Sequence, residues 1–321
     1  MSKILVTGAT GFVGKALCQI LIKNKYEVIG AVRSVEKRFL LPPEIEICMI
    51  DDIYSHTDCD GALDGVDTII HLASRVHVMH ETSLYPLDEY RKVNTYGTER
   101  LAYMAAKAGT RRIIYLSTIK VNGERGCFRE GDLPAPEDHY AISKWEAEQI
   151  LYKIAAENGL EIVIIRIPLV YGPGVKANFL QLLDIVNKNV PLPLSLIDNK
   201  RSLIYIGNLV DAIIRCIEHP DAANQTFLVS DGQDISTPEL IRMIAGSMGK
   251  KARLIPFPLP LLKVIGQLFG KSPEIERLTG SLCIDSNKIR KVLGWKPPFT
   301  MEEGICETVK WYQNSSRSVM C

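Results

Sequence analysis

The stretch that decides the fold is Ile4-Leu5-Val6-Thr7-Gly8-Ala9-Thr10-Gly11-Phe12-Val13-Gly14, close to the first residue. It combines a short apolar strand, a glycine turn and the start of an amphipathic helix. Gly8 permits a tight turn, Gly11 lets backbone amides approach a pyrophosphate, and Gly14 lets the helix pack close to the strand. An ordinary strand-to-helix turn is the alternative, but the position favours a dinucleotide site. Its predicted members are Gly8, Thr10, Gly11, Phe12, Val13 and Gly14.

The second predicted strand, 27–32, is followed by Arg33 and Ser34. An acidic residue is expected there to hold the ribose hydroxyls of NAD, whereas an arginine can meet a 2′-phosphate. The sequence therefore favours NADP(H), with NAD(H) as the alternative, unless Arg33 is simply exposed to solvent. A third strand, 46–50, leads to Asp52 and Ile53, which either contact the adenine or form a plain turn.

The fourth predicted strand, 66–70, ends in His71-Leu72-Ala73-Ser74. Small residues at this point let the backbone pass near the nicotinamide side of a cofactor, so Leu72, Ala73 and Ser74 are predicted cofactor contacts. His71 is expected to be a structural group, because a histidine at the end of a buried strand is seldom a free base. A long helix over 88–109 carries Asn94, a further predicted cofactor residue.

A reaction centre is predicted where the fifth strand, 112–117, meets the helix that follows it. The strand leads into Ser117 and Thr118, and the helix carries Tyr140 and Lys144, which lie one turn apart on the same face. A tyrosine near pKa 10 is a poor base, but a neighbouring lysine ammonium favours the phenolate and lowers that pKa. A Tyr-x-x-x-Lys pair alone is common on helix surfaces. Its position after a strand ending in hydroxyls makes it a predicted hydride-transfer centre.

The order of the predicted elements and the composition limit the class of protein to which the chain can belong. Strands and helices alternate up to the sixth strand, 161–167, which predicts an α/β fold with a doubly wound parallel sheet and a crevice at its carboxyl edge. The chain has 321 residues, a net charge of +1 and no charged block, so neither nucleic acid nor an anionic membrane is indicated. The eight scattered cysteines predict reduced thiols and no metal site.

The sequence also predicts where in the cell the protein is found. The strand at the N-terminus leaves no room for a signal peptide, and no uninterrupted apolar run reaches the roughly 18 residues of a membrane helix. We therefore expect a cytoplasmic protein without a membrane span.

Seven motifs occur in one order along the chain. They are Gly8-x-x-Gly11-x-x-Gly14, Asp52-Ile53, Asn94-x-x-Gly97-Thr98, Leu116-Ser117-Thr118, Tyr140-x-x-x-Lys144, Arg166-x-Pro168-x-Val170-Tyr171-Gly172 and Arg201 followed by Asn208-Leu209-Val210-Asp211-Ala212. Together they resemble the extended short-chain dehydrogenases/reductases, in particular the nucleotide-sugar epimerase/dehydratase group. The resemblance implies a Rossmann-type dinucleotide domain, 1–170 and 203–230, and a smaller mixed α/β substrate domain, 171–202 and 231–321.

The same resemblance implies roles for individual residues. Tyr140 would be the general acid/base, Lys144 would bind the nicotinamide ribose, and Thr118 would hydrogen-bond the reacting sugar oxygen. The implied substrate contacts, of which the two arginines would meet the diphosphate of a UDP-sugar, are Ser117, Thr118, Asn178, Arg201 and Arg277. The group also implies a homodimer formed through its long helices.

The chain departs from the group's pattern just after Thr118. Dehydratases carry an acidic pair where this chain has Ile119-Lys120, and Val121-Asn122-Gly123 replaces the usual Val-Tyr-Gly. This stretch is similar to reductases of UDP-4-keto-6-deoxy-N-acetylhexosamines. Together with Arg33, it makes reduction at C4 the leading hypothesis. The alternative is a UDP-sugar 4-epimerase acting on UDP-glucose or UDP-N-acetylglucosamine, and a non-catalytic dinucleotide-binding regulator is the hypothesis from another class.

Overall fold

A computed structural model describes residues 2–50, 63–76 and 83–318. The predicted adenine contacts Asp52 and Ile53 lie outside these residues. The strands are β1 (Lys3–Thr7), β2 (Glu27–Val32), β3 (Glu46–Met49), β4 (Thr68–His71), β5 (Arg112–Thr118), β6 (Gly126–Phe128), β7 (Glu161–Ile167), β8 (Leu169–Tyr171), β9 (Arg201–Tyr205), β10 (Gln225–Leu228), β11 (Asp234–Ile235) and β12 (Leu282–Ile284).

Eleven α-helices accompany these strands in the described part of the chain. They are α1 (Phe12–Lys23), α2 (Pro86–Arg91), α3 (Gly97–Lys107), α4 (His139–Asn158), α5 (Ala177–Asn187), α6 (Ile206–Glu218), α7 (Thr237–Ser247), α8 (Leu259–Leu268), α9 (Ser272–Thr279), α10 (Asn287–Leu293) and α11 (Met301–Ser318). No helix in the described ranges is both long enough and apolar enough to cross a membrane.

Seven parallel strands form the central sheet, in the order β10-β7-β5-β4-β1-β2-β3. The predicted doubly wound α/β fold is therefore confirmed. Residues of β1 alternate between the two faces: Ile4 and Val6 pack with α1 and α6, while Leu5 packs with α3 and α4. The chain leaves β1 toward β2 on one side and returns to β4 on the other. This reversal of strand order opens a crevice at the carboxyl ends of β1 and β4.

A second sheet of five short strands lies beside the first. Strand β9 pairs with β8, β11 and β12, whereas α6 and β10, which follow it, pack on the central sheet. Residues 203–205, predicted to belong to the first domain, thus lie in the second sheet, and the division of the chain into two domains stays a prediction. Strand β6 was not predicted. It lies between Thr118 and Tyr140 in sequence and pairs with β12.

The predicted helix over 88–109 is broken into two. Between α2 and α3 the chain forms a π-helical turn, Lys92–Tyr96, whose extra residue shifts the helix face. Buried Asn94 lies in this turn. The π-helical turn cannot be predicted from periodicity, because the apolar pattern on each side of it is that of an ordinary helix.

Candidate active site

The glycine turn after β1 is built for close backbone approach. Gly8 has a φ of +68°, and a Cβ on it would lie 2.8 Å from the Ala73 nitrogen. The Gly11 amide donates to the Gly8 carbonyl at 2.9 Å, and Gly11 is the N-cap of α1 without a side-chain cap or an acidic residue in the first turn. The first amides of α1 are therefore left to a phosphate, and the cradle fits a dinucleotide.

We expect Gly14→Ala to weaken dinucleotide binding at least about tenfold and to destabilise the fold by about 1–3 kcal/mol. The new Cβ would lie 2.3 Å from the Gly8 carbonyl oxygen and 2.6 Å from that of Ala9, and neither backbone atom can rotate away. Isothermal titration with NAD and thermal melting would measure both effects. Gly246→Ala is the matched control, because that helical glycine has nothing within 4 Å of a Cβ. Wild-type affinity in Gly14→Ala would contradict the packing argument.

The remaining predicted cofactor residues lie along the same edge of the sheet. Leu72 donates its amide to the Thr7 carbonyl at 3.2 Å, and Ala73 donates to the Thr7 hydroxyl at 3.2 Å, so this loop runs beside the glycine turn. Arg33 is exposed directly after β2, and Ser34 is partly exposed. Thr10, Phe12 and Val13 are partly exposed on the turn itself.

His71 is a structural residue, as the sequence analysis expected. It is fully buried, and its ring nitrogens contact the hydroxyls of Thr7 at 2.6 Å and Thr98 at 2.9 Å. Burial, with a smaller effect from the Lys144 charge, lowers the pKa of His71 to about 3. The imidazole is therefore neutral at physiological pH and joins β1, β4 and α3.

Asn94 connects the loop after β4 to helix α4. Its side-chain oxygen accepts from the Ser74 hydroxyl at 3.0 Å and the Arg75 amide at 2.8 Å. Its amide nitrogen donates to the Arg75 carbonyl at 3.0 Å and the Ser143 hydroxyl at 2.9 Å. These four bonds use the hydrogen-bonding capacity of the side chain. Asn94 thus holds the predicted cofactor loop in place through the protein's own groups.

Tyr140 and Lys144 project from the first turns of α4. The helix begins at the N-cap Asp138, whose side chain accepts from the Ala141 amide at 2.7 Å. The Tyr140 phenol hydrogen-bonds Ser74, and its ring meets the edge of Tyr90 at 6.4 Å between centroids. The buried Lys144 ammonium donates to the carbonyl oxygen of Leu116 in β5 at 2.7 Å.

The electrostatics of this pair differ from the sequence expectation. Burial raises the pKa of Tyr140 to about 12, although the hydrogen bond with Ser74 works in the opposite direction. Burial also lowers the pKa of Lys144 to about 7, against the attraction of Glu148. A neighbouring ammonium was expected to lower the pKa of Tyr140. In the protein without a cofactor, desolvation of Tyr140 and Lys144 outweighs that effect.

Thr118 and Ser117 face different surroundings at the end of β5. Ser117 is buried and donates to Glu148 at 2.5 Å, which directs its hydroxyl into the interior. The Thr118 oxygen accepts from the Lys120 amide at 3.3 Å, so its own hydrogen can be donated toward a substrate oxygen. Thr118 is therefore the better placed of the two predicted substrate contacts.

Behind the predicted catalytic pair lies a buried ionic network that was not predicted from the sequence. Arg166 of β7 donates to both oxygens of Glu148, the shortest of these bonds being 2.5 Å, and to the Asn122 side chain at 2.9 Å. Glu148 lies one turn beyond Lys144. Arg166 and Asn122 both belong to motifs singled out in the sequence, but only the fold brings them to Glu148.

The two arginines predicted at the diphosphate lie together. Arg201, at the start of β9, donates to the carbonyl oxygens of Arg277 at 2.9 Å and Gly280 at 3.3 Å, and burial lowers its pKa. The Arg277 side chain is exposed on α9. Asn178 is exposed in the first turn of α5, after a loop in which Gly174 lies against the Phe12 ring. Among the described residues, no group of three metal-ligating side chains is found.

Comparison with known proteins defines the class. The family model described as "NAD dependent epimerase/dehydratase family" matches residues 4–230. A "UDP-glucose 4-epimerase" of Vibrio cholerae is 46% identical over 313 residues, which cover 96% of this chain and 94% of the relative. The chain therefore belongs to the NAD-dependent epimerase/dehydratase family and is an enzyme of that family. The resemblance inferred from the motifs is confirmed.

More distant relatives extend this result. A "N-acetyl-alpha-D-glucosaminyl-diphospho-ditrans,octacis-undecaprenol 4-epimerase" of Escherichia coli O157:H7 is 26% identical over 96% of this chain and 94% of its own length. The structure of a UDP-glucuronic acid 4-epimerase from Bacillus cereus in complex with NAD has a TM-score of 0.79 and 22% identity, and covers 98% of this chain and 99% of that structure. At this identity the structure establishes the shared fold. The relatives named here are 4-epimerases, so the leading reductase hypothesis and its NADP(H) preference gain no support from them.

Proposed function

We propose that the protein is a UDP-sugar 4-epimerase that uses NAD without net consumption. The observation that carries this proposal is the 46% identity, over nearly the whole of both chains, to the UDP-glucose 4-epimerase of Vibrio cholerae. The arrangement of the site supports it. Thr118, Tyr140 and Lys144 lie at the carboxyl edge of the sheet beside the glycine turn, where a nicotinamide and a sugar would meet.

The two residues that follow Thr118 favour epimerisation over dehydration. Dehydration needs a further acid and base beside the sugar, and dehydratases place an acidic pair after the catalytic hydroxyl. Here that pair is replaced by Ile119, which is buried, and Lys120, which is ion-paired to Glu124 and Asp138. Epimerisation needs one acid/base group acting in both directions, and Tyr140 is such a group.

The proposed reaction uses the chain's residues in a reversible sequence. Tyr140 accepts the proton of the sugar 4-hydroxyl while Thr118 donates to the same oxygen, which holds it for oxidation to a ketone. The chemistry that NAD would supply when bound is reversible hydride transfer at C4. Once the keto-sugar has rotated so that the opposite face of C4 receives the hydride, Tyr140 returns the proton to the C4 oxygen. Lys144 would hold the nicotinamide ribose hydroxyls, and Arg201 and Arg277 would hold the diphosphate.

Lys144 also affects how readily Tyr140 ionises. In the protein without a cofactor the pKa of Lys144 is about 7, so only part of the Lys144 population is charged at neutral pH. Hydrogen bonds from the ammonium to ribose hydroxyls would favour its charged form. Cofactor binding would therefore increase the charged fraction of Lys144, one turn from the phenol. That charge would favour the phenolate form of Tyr140, which is the form that accepts a proton.

An activity assay distinguishes the candidate functions. Purified protein is incubated with UDP-glucose or UDP-N-acetylglucosamine and catalytic NAD, and the 4-epimers are separated by chromatography. We expect interconversion to equilibrium with no accumulation of reduced cofactor. In parallel, UDP-4-keto-6-deoxy-N-acetylglucosamine is supplied with NADPH or NADH. Loss of reduced-cofactor absorbance there, without epimerisation of UDP-sugars, would overturn the proposal in favour of reduction, and neither activity would favour the regulator.

The proposal includes a homodimer formed through α2, α3 and α4. Two large aromatic side chains, Tyr96 and Tyr103, are exposed on this surface, one on the π-helical turn and one on α3. Light scattering coupled to size exclusion would give the mass in solution. A monomer at micromolar concentration would remove this part of the proposal without affecting the reaction.

A further inference from the structure

Lys120 joins the two segments that carry the predicted catalytic hydroxyls. Its ammonium lies 2.7 Å from Asp138 Oδ2 and 2.8 Å from Glu124 Oε1, and all three side chains are about one-quarter exposed. Lys120 follows Thr118 in the short turn Ile119–Val121, while Asp138 is the N-cap of the helix that carries Tyr140. The ion pair therefore ties the end of β5 to the first turn of α4.

Asp138 also lies close enough to affect the phenol electrostatically. Its carboxylate disfavours the phenolate form and raises the pKa of Tyr140, after the larger effect of burial. Burial alone would lower the pKa of Lys120, but its hydrogen bonds to Asp138 and Glu124 outweigh burial and raise it. Lys120 is therefore cationic at neutral pH. Its ammonium is ion-paired with Asp138, the carboxylate that opposes ionisation of Tyr140.

We propose that Lys120 is a positioning residue of this enzyme: it fixes Thr118 against the start of the Tyr140 helix and neutralises the Asp138 carboxylate beside the phenol. This inference rests on the function proposed above, in which Tyr140 must act as a base. It also gives a physical reason for a lysine at the position where dehydratases carry an acid. A carboxylate there would add a second negative charge beside Asp138 and disfavour the phenolate further.

Other charged and titratable groups surround the Tyr140 phenol and the ion pairs of Lys120. The test must leave these groups unchanged. Those facing Tyr140 come from α4, from α2, from β5 and from the loop after β4. They are Asp138, Tyr90, Tyr115, Ser74 and, across the Tyr90 ring, Arg75, with Lys144 one turn further along α4. Glu124 additionally faces Arg201, whose guanidinium it stabilises electrostatically. Only Lys120 contacts both Asp138 and Glu124 among the ion pairs of the described residues.

The test is a direct titration of the phenol, which requires no turnover. Fluorotyrosine is placed at position 140, where its fluorines lower the phenol pKa into a range that the fold tolerates, and ¹⁹F NMR follows its ionisation. We expect Lys120→Met to raise the midpoint by about one pH unit, which corresponds to about tenfold less phenolate on the acid side of the titration. Lys120→Arg and the control Glu124→Gln should leave the midpoint unchanged, because the Asp138 charge stays neutralised in both.

Two further variants keep the proposal falsifiable if Lys120→Met fails to fold. Asp138→Asn preserves a good N-cap and should lower the midpoint, and Lys120→Met/Asp138→Asn should return it close to the wild-type value. A midpoint that does not move in Lys120→Met or Asp138→Asn would overturn the proposal. In natural-tyrosine enzymes, the acid limb of the kcat profile should shift in the same direction. Absence of epimerase activity in the wild type would refute the proposed function, while the titration would still decide the role of Lys120.

Discussion

Tyr140→Phe is expected to reduce epimerisation by about 10²- to 10⁴-fold, the range over which a positioned acid/base accelerates proton transfer. The substitution removes one oxygen atom and leaves the ring against Tyr90. The glycine turn is untouched, so the dissociation constant for NAD should change little. Steady-state rates with a UDP-sugar and titration calorimetry with NAD would measure the two quantities separately.

A second tyrosine on α4 provides the matched control for this prediction. Tyr152 hydrogen-bonds the Thr226 hydroxyl at 2.6 Å, far along the helix from the predicted site, and Tyr152→Phe also removes a single hydroxyl. We expect Tyr152→Phe to retain the wild-type rate after allowance for any loss of stability. If Tyr140→Phe turned over at a rate close to that of Tyr152→Phe, Tyr140 would not be the acid/base.

Glu148→Ala is expected to lower the free energy of unfolding by about 3–5 kcal/mol, because it leaves the buried Arg166 without a charged partner. Glu148 is fully buried, and the side chain of Arg166 is 5% exposed, so water cannot replace the lost carboxylate. The substitution also removes the acceptor of the Ser117 hydroxyl. Urea unfolding followed by tryptophan fluorescence would measure the change.

Two comparisons test the reason for this loss. Glu307→Ala breaks an exposed ion pair with Lys310 in α11 and should cause no measurable change. Replacing both Glu148 and Arg166 by methionine removes the unpaired charge and should recover part of the stability lost in Glu148→Ala. An equal loss in the double variant would show that packing, and not the uncompensated charge, dominates.

The parts of the fold that were predictable from the sequence are those determined by local pattern. The isoleucine-rich runs of β5 and β7 and the glycine turn gave strand boundaries within a residue or two, because buried parallel strands read as continuous apolar runs. The Ser236 capping box at the start of α7 is a local pattern of the same kind, formed by residues three apart. In these segments, neighbouring residues alone specify the conformation.

The contacts that were not predictable connect residues far apart in sequence. Strand β6 is only three residues long and exists because β12, some 150 residues later, offers it a hydrogen-bonding edge. The Glu148 network and the π-helical turn at Asn94 depend in the same way on partners from other elements. For Tyr140, the sequence indicated the side chain and its role, but its desolvation depends on burial by Ser74, Tyr90 and the surrounding fold.

Strand β6 is one of the places where the chain crosses between the two sheets, as it does again at β8, β9 and β10. The chain passes from Thr118 in the central sheet, through a strand of the second sheet, and back to Tyr140 on the central one. Cutting the gene at any single point cannot yield one fragment with the complete central sheet and another with the complete second sheet. Movement of the second sheet relative to the first would also pull on both ends of the segment that bears the predicted catalytic hydroxyls.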